Sequence, residues 1–368
     1  YGIVGMSMGY FAYNRGMPLT IRTPLQPLLG SKITSGRVGD FIDIVAIIAT
    51  IIGVSVTIGY GVSQFTSGFY NITGFEWLLN DQDKPTLYAR LGALIIVIAA
   101  STWSAITGVE KGIKWLSNLN MGLSIFLLLF FAIFGATAVA FKAYFFGIWD
   151  YITALPSMSL TVWENDGTEI GKGLADWQAG WTIFYWAWWI AFAPFVGLFL
   201  ARVSRGRSIR EYVLGAMIVS SLMCFTWFAL AGGTAIDLEL RGIADGSIVN
   251  ANISAQLFET INLMLSPELA VAMSVVIVIL LLTYLVTSAD SAILIINTIA
   301  SAGDQSQKHP FHIVVWGCIY AAVIGILLIV GGMDALRSAM LIGALPFSIV
   351  MALMGLGMIK SIVIDKKR

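Results

Sequence analysis

The chain has 368 residues, of which 58% are hydrophobic and only 11% are charged. A soluble globular chain carries roughly 25% charged residues and has no way to hide this much apolar surface from water. The 21 basic and 21 acidic residues cancel, which removes the electrostatic argument for a nucleic-acid partner. The composition therefore predicts that the lipid bilayer is the solvent of this protein.

Eight apolar runs are long enough to cross a bilayer, because about 20 helical residues at 1.5 Å each cover about 30 Å of hydrocarbon. They are residues 42–66, 91–109, 119–141, 178–200, 212–236, 269–298, 312–332 and 338–359. Residues 1–13 are apolar but too short to cross, and we expect them to be the second half of a ninth span. These runs predict an all-α polytopic membrane protein.

Basic residues alternate between the two sides of the predicted spans. Most of the 21 fall on one side, and these include Arg15, Arg205, Arg207 and the tail at 366–368. Positively charged loops face the cytoplasm, so we expect the carboxyl terminus to be cytoplasmic in a cell membrane.

The longest segment on the opposite, outer side is residues 142–177, for which we expect interfacial or short helical structure. His309 and His312 lie together in one inner loop, and we interpret them as ordinary polar residues. Their spacing and the absence of histidine from the interior of the spans favour neither a metal site nor an enzyme.

The densest signal is the aromatic run WTIFYWAWWIAFAPFVGLF at 181–199. Aromatic residues of membrane helices usually lie at the interfaces, but Trp188 and Trp189 are about 15 to 17 Å inside the span that starts at 178. Residues 185, 189 and 192, like 188, 192 and 195, follow helical spacing and form adjacent aromatic stripes. Such a stripe is either a packed core or an aromatic cage for a quaternary ammonium group, which ring faces attract.

Hydroxyl residues form two further candidates. Thr287 and Ser288 in the sequence TSADS lie within an apolar span, where they either bond to their own helix or supply oxygen ligands to a monovalent cation. Thr50 opens a run of small residues that favours close helix packing, and it is also a candidate ion ligand. Asp290 is expected to face protein or water, since a carboxylate in contact with lipid is costly.

Four segments resemble the betaine/carnitine/choline transporter family. They are WTIFYWAWWIAFAPFVG at 181–197, FLARVSRGRSIREYV at 199–213, YFAYNRGMPLTIRTPLQPLLG at 10–30 and TSADS at 287–291, in the family's order. The resemblance covers essentially the whole chain and implies about twelve spans on a LeuT-like inverted repeat of two five-helix halves, with the substrate between them. It also implies a homotrimer.

The resemblance divides the chain into four parts. Residues 1–141 are the remainder of the first repeat, 142–177 the outer loop, 178–359 the second repeat and 360–368 a basic cytoplasmic tail. We expect the chain to begin in the family's fourth span and to lack the first three.

For the substrate site, the resemblance implies that Trp188 and Trp189 are two of the family's indoles and that Phe192 stands where some members have a third. Tyr1 is similar to the tyrosine that closes the aromatic box, and Tyr185 belongs to the same stripe. The expected ligand is a small zwitterionic or cationic solute.

For the sodium sites, the resemblance matches Thr287 and Ser288 to ligand hydroxyls and Tyr284 to a carbonyl ligand. Thr50 and Phe195 match a second site, where Val54 replaces an expected hydroxyl. We expect one sodium site more firmly than two.

The function predicted from these residues is sodium-coupled transport, by alternating access, of a quaternary ammonium or sulfonium compatible solute such as glycine betaine, carnitine or choline. Two alternatives remain: sodium-independent exchange on the same scaffold, and a membrane solute receptor or osmosensor that does not transport. Sodium is the coupling ion expected, and no other cofactor is.

Overall fold

The computed structural model describes residues 1–107, 114–304 and 309–366. Ten helices carry the fold of these residues: α1 Gly2–Gly9, α2 Arg37–Thr73, α3 Leu87–Thr107, α4 Lys114–Phe134, α5 Thr137–Leu160, α6 Glu169–Val203, α7 Ile209–Leu240, α8 Gln256–Met264, α9 Pro267–Ala300 and α10 Pro310–Lys366. Short helical turns lie at Thr23–Leu25, Gln26–Leu29, Ser31–Thr34, Glu76–Leu78 and Ser247–Asn250. The predicted all-α class is confirmed.

Turns of π-helix interrupt three of the long apolar segments. They are Tyr10–Asn14 after α1, Ala179–Ile183 within α6, and Leu214–Val219 and Phe228–Gly232 within α7. Such turns are rare and are frequent at functional sites. The turn within α6 directly precedes the aromatic run.

Seven of the described helices are long and apolar enough to cross a membrane: α2, α3, α4, α6, α7, α9 and α10. The last contains both of the predicted spans 312–332 and 338–359. Gly331 and Gly332 leave helical geometry inside it, and Gly332 has φ 62°, a left-handed value that only glycine adopts readily. Each of the eight predicted runs therefore overlaps one of these seven helices.

One predicted boundary is wrong. The run 119–141 is not a single helix, because α4 ends at Phe134 and α5 begins at Thr137. The backbone amide of Ala136 leaves the helical pattern and donates to Thr234 Oγ1 at 3.1 Å. The sequence stays apolar through this break and therefore gives no local sign of it. The residue that stabilises the break, Thr234, is distant in the sequence.

The outer segment 142–177 is more helical than expected. It contains most of α5 and the beginning of α6, whose first turn is capped by the Thr168 side chain, which accepts from the amide of Gly171 at 3.0 Å. Four of the basic residues expected on the cytoplasmic side lie outside the described residues: Lys111, Lys308, Lys367 and Arg368.

Contacts divide the chain into two compact units. The first comprises Tyr1–Ile58, Asn165–Val219 and Ser288–Arg368, and the second comprises Gly59–Glu164 and Ser220–Thr287. The predicted repeats, residues 1–141 and 178–359, are continuous stretches of sequence, whereas each contact unit combines separate stretches. The contact units do not test the repeats, which stay a prediction.

In the first unit, α1 packs against α6 and α10. Here α2 also crosses α6 so closely that a Cβ on Gly53 would lie 3.0 Å from the carbonyl carbon of Ala191. A glycine at this point lets the two backbones approach.

The second unit is held by an apolar cluster from α4, α5, α7, α8 and α9. Its buried members are Leu127, Phe130, Phe131, Ala140, Leu230, Ala231, Phe258, Ile261, Ala270, Met273, Ile277, Val278 and Leu280. Ser67 and Ser254, whose hydroxyl oxygens are 2.7 Å apart, add a buried polar contact.

Candidate functional site

The aromatic stripe of α6 meets the first residue of the chain within the first unit. The Tyr1 ring stands edge-on to Trp189, with centroids 5.4 Å apart and an interplanar angle of 82°, and lies 6.4 Å from Phe192. Phe192 in turn contacts Phe195 at 5.2 Å. Edge-to-face geometry is favoured between aromatic rings, so these four residues form one connected group.

The second stripe joins the same group. Tyr185 lies 5.8 Å from Trp188, and Trp188 stacks on Trp189 with centroids 6.1 Å apart and planes 17° apart. The structure thus brings together all five residues predicted for the substrate: Tyr1, Tyr185, Trp188, Trp189 and Phe192.

The two tryptophans differ in how they are held. Trp188 is partly buried, and its indole Nε1 donates to Thr57 Oγ1 on α2 at 3.2 Å. Trp189 is 52% exposed. The sequence gives Thr57 only as a member of a small-residue run, so its role as the partner of an indole was missed.

Tyr1 contributes both a ring and a polar group. Its hydroxyl is buried, and no described residue forms a hydrogen bond with it. A buried hydroxyl without a partner costs about 1 to 3 kcal/mol. The aromatic group therefore combines ring faces, which attract a cation, with one polar atom able to contact a ligand.

Thr50 lies on α2 about one turn before Gly53. Thr57 contacts Trp188, and Gly53 approaches Ala191, so α2 and α6 run antiparallel where they cross. Thr50 is fully buried and its Oγ1 has no hydrogen-bond partner among the described residues.

A tyrosine on α10 also contacts Thr50. The hydroxyl of the fully buried Tyr320 donates to the Thr50 carbonyl at 3.3 Å. Every residue has a backbone carbonyl, so the sequence does not indicate that this one has a tyrosine partner. The contact of Tyr320 with Thr50 was therefore not predicted.

At the predicted hydroxyl site on α9, Thr287 has hydrogen-bond partners, unlike Thr50. The helix is continuous here, and the Thr287 hydroxyl lies 3.0 Å from the carbonyl of Thr283 and 3.1 Å from that of Tyr284. Thr287 also accepts from Asn120 Nδ2 at 3.1 Å. Ser288, the next residue, is partly buried.

Tyr284 directs its side chain to α4. Its hydroxyl lies 2.7 Å from Ser124 Oγ, an interhelical contact that the predicted carbonyl role of Tyr284 did not include. Asn120 and Ser124 are polar residues inside an apolar run, a signal that the sequence analysis passed over.

Asp290 is fully buried and accepts from the Ser291 hydroxyl at 3.1 Å. The expectation that this carboxylate avoids lipid is confirmed.

Comparison with known proteins agrees with this architecture. A sequence model described as the BCCT, betaine/carnitine/choline family transporter matches residues 1–367. With seven described helices that are candidate spans, the chain is a multi-pass membrane protein. It belongs to the betaine/carnitine/choline transporter family, whose members are transporters rather than enzymes.

Three relatives illustrate the similarity. The chain is 36% identical to a glycine betaine transporter of Bacillus subtilis over 354 residues, covering 96% of this chain and 65% of the relative. It is 36% identical to a glycine betaine transporter of Acinetobacter baylyi, covering 100% of this chain and 53% of the relative. It is 35% identical to an ectoine/hydroxyectoine transporter of Virgibacillus pantothenticus, covering 96% of this chain and 66% of the relative.

The chain thus spans about half to two thirds of the length of the curated relatives it matches. The match over residues 1–367 does not by itself support the predicted absence of the first three spans, which stays a prediction.

Proposed function

We propose that this chain carries the substrate-binding aromatic group of a secondary transporter for a quaternary ammonium compatible solute. The observation that supports this most directly is the contact of Tyr1 with Trp189 and Phe192, at centroid distances of 5.4 and 6.4 Å. Glycine betaine is the preferred substrate of the proposal, because two of the relatives are named as its transporters.

A methylated ammonium group donates no hydrogen bonds, so ring faces are the groups that bind it. Each contact contributes roughly 0.5 to 2 kcal/mol, more when water is excluded. Trp189, with half its surface exposed, offers a face to the ligand, while Thr57 fixes the ring of Trp188. A sulfonium group carries the same kind of charge, and it is a second substrate class of the proposal.

Sodium coupling is the second part of the proposal. Hard monovalent cations prefer oxygen ligands. The buried Thr50 Oγ1 has no hydrogen-bond partner among the described residues, and Thr287 directs the proton of its hydroxyl to a helix carbonyl, so its oxygen retains lone pairs. These observations support Thr287 as a ligand of one site and Thr50 as a ligand of the other. Ser288 and Tyr284 at the first site and Phe195 at the second are proposed from the family resemblance.

The remaining parts rest on the family. We propose alternating access by two inverted repeats within residues 1–141 and 178–359, assembly as a homotrimer, and a cell-membrane location with the carboxyl terminus in the cytoplasm.

Uptake into vesicles tests the function. The complete gene product is reconstituted into proteoliposomes, and labelled glycine betaine, carnitine, choline and a sulfonium analogue are supplied with and without a sodium gradient. We expect uptake of at least one, accelerated by inward sodium. The absence of uptake for all four at every sodium concentration would contradict transport, and binding without uptake would favour a receptor.

One observation favours a sodium-independent exchanger as the second candidate. Val54 supplies no side-chain oxygen beside Thr50, at the position where the family resemblance implies a hydroxyl. Exchange of internal for external solute that survives Thr287→Ala and Ser288→Ala without sodium would establish this alternative.

A further inference from the structure

Helices α4 and α9 meet in the second unit through two polar contacts. Asn120 Nδ2 donates to Thr287 Oγ1 at 3.1 Å, and one turn away Ser124 Oγ lies 2.7 Å from the Tyr284 hydroxyl. Asn120 is only 4% exposed. Polar side chains inside membrane helices are costly and commonly functional.

Hydrogen bonding determines how the Asn120 amide is oriented. The Thr287 hydroxyl has a single proton, and its nearest acceptors are the carbonyls of Thr283 and Tyr284 at 3.0 and 3.1 Å. Since that proton goes to its own helix, the hydroxyl accepts from Asn120, which must present its NH₂ group. The amide carbonyl oxygen then points elsewhere.

That carbonyl oxygen, Asn120 Oδ1, is buried, and none of the described residues donates a hydrogen bond to it. Ser124 does not, because its hydroxyl bonds the backbone carbonyl of Asn120 at 2.6 Å and faces Tyr284. A buried acceptor left in this way loses its hydrogen bonds to water without replacement, which destabilises the folded protein. A leucine would avoid that cost, so an interhelical contact alone does not explain the asparagine.

We propose that Asn120 Oδ1 is a ligand of the coupling cation, beside Thr287 Oγ1. This inference rests on the proposed sodium coupling and adds a ligand from α4. The amide oxygen and nitrogen are about 2.2 Å apart, so Oδ1 lies within about 5 Å of Thr287 Oγ1. Hard cations hold oxygens at about 2.3 to 2.6 Å, and two oxygens at that separation reach one ion.

Sodium titration of the purified complete protein tests the assignment. Thermal unfolding in detergent, without substrate, is followed by tryptophan fluorescence at increasing sodium, and the sodium dependence of glycine betaine uptake is measured in parallel. For Asn120→Ala we expect the sodium midpoint to rise about tenfold in both assays. The KM for glycine betaine at saturating sodium should stay within about twofold.

Ser124→Ala is the matched control, since it removes the neighbouring contact of the same interface without touching Asn120 Oδ1. Its sodium midpoint should stay within about twofold of the unsubstituted protein. An equal shift in both variants would assign the effect to helix packing and overturn the inference.

Asn120→Asp separates the carbonyl oxygen from the amide donor, and it also serves if Asn120→Ala does not fold. It retains an oxygen, so we expect a sodium midpoint within about threefold of the unsubstituted protein. A loss as large as that of Asn120→Ala would mean that the donated hydrogen bond matters and the oxygen does not.

The outcomes also separate this inference from the proposed coupling. An unsubstituted protein whose stability and uptake ignore sodium would overturn the coupling and the ligand together. Sodium dependence that persists unchanged in Asn120→Ala would overturn the ligand alone.

Discussion

Two neighbouring tryptophans have different tasks because their indoles have different surroundings. Trp188 is tied through its N–H to Thr57, whereas Trp189 contacts Tyr1 by its ring and remains 52% exposed. Hydrogen bonding fixes the first ring in place, and exposure leaves the face of the second for a ligand. Spacing along the helix treats the two residues alike, so only the contacts separate them.

Replacing Trp189 tests this difference. Trp189→Leu removes one ring face, worth roughly 0.5 to 2 kcal/mol, and we expect the KM for glycine betaine uptake to rise about 2-fold to 30-fold. Trp186→Leu is the control, because Trp186 lies on the same helix, is 66% exposed and is outside the two stripes. Equal effects of the two substitutions would remove Trp189 from the substrate site.

The carboxyl of Glu259 in α8 gives a pH-dependent prediction outside the membrane spans. Burial, and then the nearby charge of Asp83, raises its pKa above the ordinary value of 4.5. The folded state therefore favours the protonated form and loses stability as pH rises above 4.5.

Glu259→Gln should consequently raise the unfolding temperature at neutral pH, and the gain should vanish below about pH 4.5, where both side chains are neutral. Thermal unfolding between pH 4 and pH 8 measures it. The exposed Glu76 provides the control, because its side chain is not buried, and Glu76→Gln should change the unfolding temperature less than Glu259→Gln does. A gain that persists at acid pH would contradict the electrostatic explanation.

At the scale of helices, the crossing of α2 and α6 positions most of the candidate residues of the first unit. Gly53 permits it, since the nearest atoms to an added Cβ are those of Ala191 at 3.0 to 3.1 Å, partly backbone. Backbone atoms yield less than the end of a flexible side chain, so an added methyl group must displace the Ala191 backbone by a few tenths of an ångström.

Gly53→Ala is therefore expected to destabilise the protein by about 1 to 3 kcal/mol and to lower transport. Gly92→Ala is the control: Gly92 lies in α3 with nothing within 4 Å of an added Cβ, so alanine should be neutral or stabilising by up to about 1 kcal/mol. Unfolding temperatures in detergent compare the two, and a tolerated Gly53→Ala would argue against the close crossing.

An ion pair joins the segment before α2 to that helix. Arg22 Nε lies 2.6 Å from Asp43 Oδ2, and Arg22 Nη2 lies 2.8 Å from Asp40 Oδ1. The side chain of Asp43 is 5% exposed and that of Asp40 is 63% exposed. Removal of the buried Asp43 carboxylate would leave the charge of Arg22 without its buried partner, which is destabilising.

We expect Asp43→Ala to cost about 3 kcal/mol and Asp40→Ala at most about 1 kcal/mol. Unfolding temperature and yield of folded protein in detergent measure both. Equal losses would mean that burial of the carboxylate does not govern the pair.

At the scale of the whole molecule, the apolar helices differ in how much protein covers them. The most apolar window of α7 is 6% buried, against 56% for α2, at similar mean hydropathies of 2.0 and 2.5. An uncovered apolar helix is stable against hydrocarbon and not against water. This contrast agrees with a protein whose solvent is lipid. It does not indicate which side of the membrane each loop faces, and that prediction rests on the basic residues of the loops.

Cysteine labelling tests that orientation. In the complete protein, with Cys224→Ala, Cys318→Ala and any further native cysteine also replaced by alanine, Asn165→Cys should react with a membrane-impermeant maleimide on intact cells. Arg207→Cys should react only after permeabilisation, because positively charged loops face the cytoplasm. The reverse pattern would invert the predicted topology.

The sequence by itself determined the properties that depend on local composition. Apolar runs of about 20 residues are visible without neighbours, so the spans, the aromatic stripe and the family resemblance were all readable from it. The break after Phe134 was not, since the partner of the Ala136 amide is Thr234.

Only the tertiary structure decided which of the candidate residues meet. Tyr1 and Trp189, Thr57 and Trp188, and Asn120 and Thr287 are each separated by more than a hundred residues of chain. Their contacts depend on helix crossings that periodicity does not encode. The satisfaction of a buried polar atom is likewise a property of all its neighbours in space, which is why Asn120 Oδ1 and Thr50 Oγ1 emerged only from the folded chain.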